Sequence, residues 1–314
     1  MAAASRTGEA GWPEMTRSAV LVNPARSSHR QSLRRSILRV LAEDGWPEPS
    51  WFETTPEATG ESQAREAVES GAEVLFVCGG DGTVRGAASA LAGTEVALAV
   101  LPSGTGNVLA LNLGLPSGVV EGVRLATRGG RRRIDLGEVD GLIFTVAAGI
   151  GLDAQMLADA SYRAKHRLGW PAYWAAALRH LIAPRFPAQV RLDGGPPLQR
   201  EVRSVLVANV GRLPGGIHLV PTAAPDDGQL DVVLIAPRWP HEWAGVLFSL
   251  VGRDPRGGRL ETFRAQRVEV TADRPQAREL DGDQLPPGRS LAVAVRSSAL
   301  TVCVPRPDQA PRRR

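Results

Sequence analysis

A run of apolar residues that ends in a cluster of glycines constrains the fold of this chain more than any other feature. Val74–Cys78 is a continuous apolar stretch, which is typical of a strand buried on both faces. Gly79–Thr83 follows with three glycines, and Val84–Leu91 has a helical pattern. A strand, a glycine loop and a helix N-terminus together form a site for a phosphate or another anion.

Asp81 stands inside this glycine loop, where its negative charge would repel a phosphate. A cation such as Mg2+ between the carboxylate and the phosphate removes that repulsion. A Walker-type loop is excluded, because it needs a lysine after its last glycine and Lys165 is the single lysine of the chain. The loop therefore indicates a metal–nucleotide site that works without a lysine.

The first half of the chain alternates strands with helices at short spacing, which predicts a parallel sheet covered by helices on both faces. Ligands bind such sheets at the carboxyl ends of the strands. Asn23, Thr54 or Thr55, and both glycine loops (Gly79–Thr83 and Pro102–Asn107) are expected at that edge. The predicted strands are Ser18–Val22, Trp51–Thr54, Val74–Cys78 and Val96–Leu101, and the predicted helices are Ser28–Glu43, Glu61–Glu69, Val84–Leu91 and a segment from Asn107 to before Gly114.

After Gly129–Gly130 the pattern changes to many short strands, which predicts an antiparallel sandwich. The predicted fold class is α/β, with an N-terminal Rossmann-like parallel-sheet nucleotide domain (17–130) followed by a β-sandwich domain (131–304). The ends, 1–16 and 305–314, are expected to be disordered. A helical region is expected at 153–181, and the predicted strands are Arg133–Val139, Leu142–Val146, Ala188–Leu192, Val202–Val210, Leu230–Ile235, Arg267–Thr271, Ala277–Leu280, Leu291–Val295 and Leu300–Val304.

Charge and cysteine content narrow the class of protein only slightly. The net charge of +4 and the pI near 9.8 favour anionic partners without naming one. Cys78 and Cys303 lie in separate strand-like contexts, so both are expected to be buried free thiols. No stretch reaches the roughly 18 consecutive apolar residues of a spanning helix. We therefore expect a cytoplasmic protein, with any membrane contact peripheral and at the inner face.

Several short motifs follow one another along the chain: Asn23-Pro24, Gly79–Thr83, Leu101–Asn107, Ile134–Gly137, Gly149–Ala154, Asp226–Asp231 and Leu280–Asp283. Together and in this order they resemble the soluble diacylglycerol kinase catalytic-domain family, which includes bacterial lipid kinases and sphingosine kinases. The resemblance covers roughly Ser18 to Val304, whereas the glycine motif alone is also similar to that of NAD kinases.

This resemblance implies an enzyme that uses ATP and Mg2+ to phosphorylate a lipid hydroxyl. It also implies a nucleotide domain followed by a β-sandwich. The choice between Thr54 and Thr55 stays open. The implied nucleotide-binding residues are Asn23, Pro24, Ala25, Arg26, Ser27, Thr54, Thr55, Gly79, Gly80, Asp81, Gly82, Thr83, Val84, Arg85, Gly86, Ser103, Gly104, Thr105 and Asn107.

Phosphoryl transfer depends on alignment and neutralised charge more than on covalent chemistry. The resemblance implies Mg2+ at Asp81, with Asp135 as a second candidate ligand. Asp281 is the candidate general base, since a carboxylate near the hydroxyl speeds its attack. Asp283 is a supporting acid at a position where relatives usually carry glutamate. Taken alone, Leu280–Asp283 favours a hairpin turn.

Asp227 resembles a structural metal ligand of the bacterial members. The backbone carbonyls of Ala224 and Gln229 would complete an oxygen-only site, which suits Mg2+ or Ca2+. The local sequence equally favours a plain turn at this position.

Val108 departs from the pattern of many bacterial relatives, which carry an aspartate there. Sphingosine-kinase-like relatives carry apolar residues at this position. Besides a lipid kinase, two alternatives stay open: an NAD-kinase-like enzyme and a nucleotide-binding regulator with weakened catalysis.

The expected partner is a lipid at a membrane surface, and the sequence does not say which lipid. Tyr162–Trp174 mixes cations with aromatic residues, a composition that suits either an interfacial segment or a helix packed on the sandwich. We expect no nucleic-acid partner and leave a homodimer open.

Overall fold

A computed structural model describes residues 16–24, 30–55, 57–151, 184–214, 217–239, 242–243 and 260–306. The predictions for Ala25, Arg26 and Ser27, for the helical region at 153–181 and for Tyr162–Trp174 lie outside the described residues. Among the residues described, none of the helices is long and apolar enough to cross a membrane.

The first half is the predicted parallel sheet with helices. Strand order within it is β2-β1-β3-β4, and every pairing is parallel. The sequence analysis did not include α5, whose signal is a buried stripe at Val123 and Ala126. The elements are β1 (Ser18–Val22), α1 (Arg30–Glu43), β2 (Ser50–Glu53), α2 (Glu61–Glu69), β3 (Val74–Gly79), α3 (Asp81–Leu91), β4 (Ala97–Pro102), α4 (Val108–Leu113) and α5 (Val119–Arg128).

The second half is the predicted antiparallel β-structure. Two pairs of predicted strands each form one long strand, β15 and β16, because β-bulges let a long strand bend without ending. Register shifts between Thr271 and Gln276, and between Arg296 and Leu300, mark these bends. The elements are β5 (Gly130–Val139), β6 (Leu142–Phe144), β7 (Ala147–Ile150), β8 (Phe186–Leu192), β9 (Leu198–Val202), β10 (Ser204–Ala208), β11 (Arg212–Leu213), β12 (Ile217–His218), β13 (Leu230–Ile235), β14 (Leu260–Ala265), β15 (Arg267–Leu280) and β16 (Asp283–Val304).

Strand β16 joins the two halves of the molecule. Its first part pairs with β15, and its C-terminal end pairs in parallel with β4 at Thr301 and Val302. Fourteen of the described strands therefore form one continuous sheet. Its main path is β14-β13-β10-β7-β15-β16-β4-β3-β1-β2, with β5 on β16, β6 on β5, β8 on β15 and β9 on β8, whereas β11 and β12 pair with each other in a separate two-stranded sheet. The domain boundary near 130 stays a prediction, and the last strand, β16, returns to the first sheet.

An apolar cluster fills the space between the helices of the first half and the sheet of the second. Val84 of α3 and Leu109 of α4 pack in one cluster with Ile134, Val146 and Leu206. This packing places the N-terminal ends of α3 and α4 beside the strands of the second half.

The two cysteines are free and buried, as predicted. Burial raises the pKa of the Cys78 thiol to about 12 and that of the Cys303 thiol to about 11. Neither thiol is therefore ionised near neutral pH, which is the behaviour of structural rather than reactive cysteines.

The β5–β6 hairpin provides a test of packing in this fold. A methyl group on Gly137 would lie 1.9 Å from the ring of the buried Phe144. Overpacking a core costs about 1–3 kcal/mol. Gly137→Ala should therefore lower the free energy of unfolding, measured in urea, by about 1–3 kcal/mol or more. Gly130→Ala on the same strand is the control, since its nearest neighbour would be 3.7 Å away. Equal stability of the two variants would contradict the packing described.

Candidate active site

The glycine loop leads directly into α3, which begins at Asp81, three residues earlier than predicted. Gly80 occupies the N-cap position and provides no side-chain cap. Among the residues that the structure describes, a Cβ atom on Gly82 would meet no atom within 4 Å. The first turn of an α-helix leaves backbone N–H groups without intrahelical partners, and this is the arrangement that binds phosphate.

The second glycine loop lies against the first, because Gly79 and Pro102 are paired at the ends of β3 and β4. A Cβ atom on Gly104 would lie 2.6 Å from the Cα of Gly80, so only glycine permits this approach. Asn107 closes the loop: its side-chain oxygen accepts the Gly104 N–H at 3.0 Å and its amide donates to the Gly104 carbonyl at 2.8 Å.

The Asp81 carboxylate joins the two loops. It accepts the backbone N–H of Asn107 at 2.8 Å and that of Val108 at 2.6 Å, and so caps α4. The sequence analysis missed this role. Each carboxylate oxygen has a second lone pair, so the donor set at Asp81 also fits Mg2+, and the magnesium assignment stays a prediction.

Asn23 and Thr54 lie at the same carboxyl edge of the sheet. The Asn23 amide donates to the Thr83 hydroxyl at 3.3 Å, and the Thr54 N–H donates to the Val22 carbonyl at 3.0 Å. The neighbouring Thr55 hydroxyl accepts the N–H of Ala58 at 3.1 Å. The predicted gathering of residues distant in sequence is thus present in the structure.

Two of the predicted nucleotide-binding residues, Val84 and Gly86, contribute to packing in the structure. Val84 is buried in the core between the two halves. A Cβ atom on Gly86 would lie 3.1 Å from the backbone nitrogen of Glu61, so this glycine allows α2 and α3 to approach closely.

The Leu280–Asp283 segment is a two-residue hairpin turn with positive φ at Asp281 (50°) and Gly282 (86°), the geometry that favours aspartate and glycine. The Asp281 carboxylate accepts four hydrogen bonds. The donors are the Thr145 N–H at 2.8 Å, the Thr145 hydroxyl at 3.0 Å, the Val146 N–H at 2.8 Å and the Ala147 N–H at 3.0 Å.

These four donors occupy all the lone-pair positions of the Asp281 carboxylate. Burial raises the pKa of Asp281, and the three backbone N–H groups oppose that rise. A carboxylate with every acceptor position filled has none left for a substrate proton. In this arrangement Asp281 anchors the turn, and the predicted role as general base does not fit it.

Arg85 connects α3 to this turn. It lies one helical turn after Asp81, donates to the Leu280 carbonyl at 2.8 Å and pairs with the Asp283 carboxylate at 2.5 Å. The Asp283 side chain is 64% exposed. Arg85 therefore connects α3 directly to the Leu280–Asp283 turn, which is distant in sequence.

Glu279 is a further acidic residue of this region that the sequence analysis missed. It is 2% exposed and accepts the Gly282 N–H at 2.9 Å. Burial raises the pKa of Glu279 to about 7, and the charges of Asp281 and Asp283 add to the rise. No sequence motif marks Glu279, because an isolated glutamate at the end of a strand carries no signal of its burial.

Asp135 is buried and has both carboxylate oxygens occupied. They accept the backbone N–H groups of Gly228 and Ser298, each at 2.7 Å. These hydrogen bonds connect β5 with the turn before β13 and with the bulge in β16. They satisfy the buried carboxylate without a metal. The part predicted for Asp135 as a magnesium ligand stays a prediction.

The metal predicted at Asp227 does not fit the residues around it. Arg264 forms an ion pair with the Asp227 carboxylate, and Arg132 pairs with the adjacent Asp226. The remaining Asp227 oxygen accepts the N–H of Gln229 at 3.0 Å. A cation at this carboxylate would face a guanidinium charge.

Comparison with known proteins gives the family. The family model for the diacylglycerol kinase catalytic domain matches residues 17–139, and the model for the YegS C-terminal NAD kinase beta sandwich-like domain matches residues 145–304. A YegS-like lipid kinase of Pseudomonas aeruginosa is 33% identical over 297 residues, which cover 90% of this chain and 89% of that protein. The chain belongs to the diacylglycerol kinase catalytic-domain family.

Other relatives agree with this membership. A diacylglycerol kinase of Bacillus subtilis is 28% identical over 276 residues, covering 86% of this chain and 90% of that protein. A diacylglycerol kinase from Bacillus anthracis has the same fold, with a TM-score of 0.73 at 23% identity over 92% of this chain and 96% of that one. An NAD kinase from Archaeoglobus fulgidus in complex with ATP is more distant, with a TM-score of 0.53 at 13% identity over 91% of this chain and 93% of that one.

The arginine brace at Asp227 predicts a turn that needs no metal. Removal of divalent cations with EDTA should leave the melting temperature of the wild type unchanged. In Arg264→Ala the Asp227 carboxylate loses its counter-charge, so added Mg2+ or Ca2+ should raise the melting temperature of that variant. Arg267→Ala is the control, because Arg267 is an exposed arginine on β15, the next strand in sequence. An EDTA-induced fall in the wild type that Asp227→Asn abolishes would restore the metal site.

Proposed function

We propose that this protein is an ATP-dependent lipid kinase that transfers the γ-phosphate of ATP to a hydroxyl of a diacylglycerol- or sphingoid-type lipid. The observation that supports the proposal is the contact of Arg85 with Leu280 and Asp283. Through it α3, whose first turn is the candidate phosphate-binding element, is joined to an exposed carboxylate of the second half. A kinase needs this combination of phosphate site and acceptor-side base.

In the proposed mechanism the chain positions the phosphates with backbone groups. The N–H groups at the start of α3 and the close contact of Gly80 with Gly104 form the cradle. When bound, Mg2+ would neutralise phosphate charge, and Asp81 is the residue that would hold it. Arg85 adds a positive charge one turn further along α3, where it orients the Asp283 carboxylate.

Asp283 is the better candidate for the general base. Its carboxylate is largely exposed and has one protein partner of opposite charge, whereas all four acceptor positions of Asp281 are taken. We therefore assign Asp283 to accept the proton of the lipid hydroxyl, and Asp281 to hold the turn. This exchanges the two roles that the resemblance implies.

The function is tested by incubating the purified protein with ATP, Mg2+ and a total lipid extract, followed by mass analysis of new phospholipids. We expect a phosphorylated lipid and no phosphorylation of NAD in a parallel assay. Asp283→Asn, assayed in the same way, is the matched negative control. Phosphorylation of NAD without a lipid product would favour the NAD-kinase-like alternative. Thermal stabilisation by ATP without transfer to any lipid would favour a regulator, consistent with Val108.

The two aspartates of the turn should respond differently to amide substitution. Asp283→Asn should lower kcat by roughly 10²–10⁴-fold, the usual contribution of a general base, with the KM for ATP and the melting temperature unchanged. Asp281→Asn places an NH2 group against backbone N–H donors, which costs about 1–3 kcal/mol of stability. Kinetics and urea unfolding of both variants separate the roles.

Asp140→Asn is the matched control for both variants, because Asp140 occupies a similar positive-φ turn and pairs with an arginine at 3.3 Å. If Asp281→Asn abolished turnover at unchanged stability while Asp283→Asn stayed active, Asp281 would be the base after all.

A further inference from the structure

Glu279 is a buried carboxyl group whose two oxygens have different surroundings. One oxygen, Oε2, accepts the Gly282 N–H at 2.9 Å inside the Leu280–Asp283 turn. The other, Oε1, is buried and has no hydrogen-bond partner among the residues that the structure describes. A buried polar atom without a partner is costly, so a residue of this kind needs an explanation beyond packing.

The space that Glu279 occupies is created by a glycine. Gly149 of β7 is paired with Glu279, and a Cβ atom on Gly149 would lie 2.9 Å from Glu279 Oε1 and 2.7 Å from the Leu206 side chain. Glu279 therefore lies near Leu206, which belongs to the apolar cluster shared by the two halves, while its other oxygen reaches the turn. The neighbouring Leu280 is buried in the core on the opposite face.

Resting on the kinase function proposed above, we propose that Glu279 is a proton-linked positioning residue that fixes the Gly282–Asp283 segment when it is ionised and loosens it when it is neutral. It acts through the Gly282 N–H. Nothing in this role requires Glu279 to touch the lipid or the nucleotide.

The charged groups around Glu279 contribute to its pKa. Asp281 and Asp283 raise its pKa, and Arg85 of α3 lowers it, while its contacts on β7 and β10 are the uncharged Gly149 and Leu206. With burial as the largest cause, the pKa of Glu279 is about 7. Its charge therefore changes within the physiological range.

Ionisation of Glu279 strengthens its contact with the turn. A carboxylate accepts the Gly282 N–H in a charge-assisted hydrogen bond, which is shorter and stronger than the bond to a neutral carboxyl group. The stronger bond holds Gly282, and with it the proposed general base Asp283, more firmly above neutral pH.

The first test follows the Gly282 amide directly, in nucleotide-free protein. The chain contains six Asp–Gly pairs, so labelling aspartate carbonyls and glycine nitrogens reduces the NMR spectrum to six signals. In the wild type one signal should titrate near pH 7, and in Glu279→Gln it should not. Glu269→Gln, an exposed glutamate on the same strand, should retain the titration. A Gly282 amide that titrates alike in the wild type and Glu279→Gln overturns the proposal.

The second test compares pH profiles of kcat/KM for phosphorylation of the lipid found in the extract assay. Glu279→Gln should match the wild type near pH 6 and be about tenfold slower near pH 8, well below the roughly 10²–10⁴-fold loss expected for a base. ATP itself titrates in this range, so the readout is the ratio of kcat/KM between the wild type and Glu279→Gln at each pH. Superimposable profiles overturn the proposal.

The stability of the folded protein gives a readout that needs no substrate. Folding raises the pKa of Glu279 from 4.5 to about 7, so its stabilising effect is complete below about pH 4.5 and is lost as the pH rises through 7. Between pH 5 and pH 7.5 the wild type should lose melting temperature relative to Glu279→Gln. A constant difference overturns the proposal. If the wild type shows this loss of melting temperature but phosphorylates no lipid, the proposed kinase function is overturned, whereas the pH-dependent role of Glu279 in the turn is not.

Discussion

The contact between Arg85 and the Leu280–Asp283 turn is the interaction on which the rest of the site depends. Arg85 belongs to the helix that begins at the glycine loop, and the turn lies 195 residues further along the chain. One guanidinium group binds a backbone carbonyl and a carboxylate there, so it fixes both position and charge. Arginine suits this task because its planar fork holds two acceptors at once. This bridge gives the start of the chain's glycine-loop helix a direct polar contact with the acidic turn.

Backbone amides, rather than cations, satisfy most of the carboxylates around this bridge. Asp81 accepts two N–H groups of the second glycine loop, and Asp135 accepts two from the turn before β13 and the bulge in β16. Asp281 accepts three N–H groups and a hydroxyl. Each carboxylate therefore ties together segments that are far apart in sequence. The acidic residues hold the site in shape, and Asp283, whose partner is Arg85, is the one of these left with an exposed carboxylate.

The sequence predicted the α/β order, the glycine loops and the position of the hairpin turn, because these follow from local periodicity and turn chemistry. It did not predict the hydrogen-bond partners of Asp81 and Asp281, since those N–H groups become neighbours only after the sheet has formed. For the same reason, the motif suggested Asp281 as the base although its carboxylate is saturated. Glu279 escaped notice because an isolated glutamate in a strand has no motif. Its burial comes from Gly149, on a strand that is adjacent only in the folded chain.

The continuous sheet explains why the bridge can be rigid. Strand β16 pairs with β15 beside the acidic turn and, near its C-terminal end, with β4, which leads into the second glycine loop. On the helical side, the Asn112 side chain of α4 forms two hydrogen bonds with the backbone of Arg212, at 2.7 and 2.9 Å. The two halves are thus held by a shared strand, by Arg85 and by Asn112. Since a misplacement of about 1 Å between reacting groups can reduce rates about a hundredfold, such multiple connections favour a preformed site over one assembled by large domain motion.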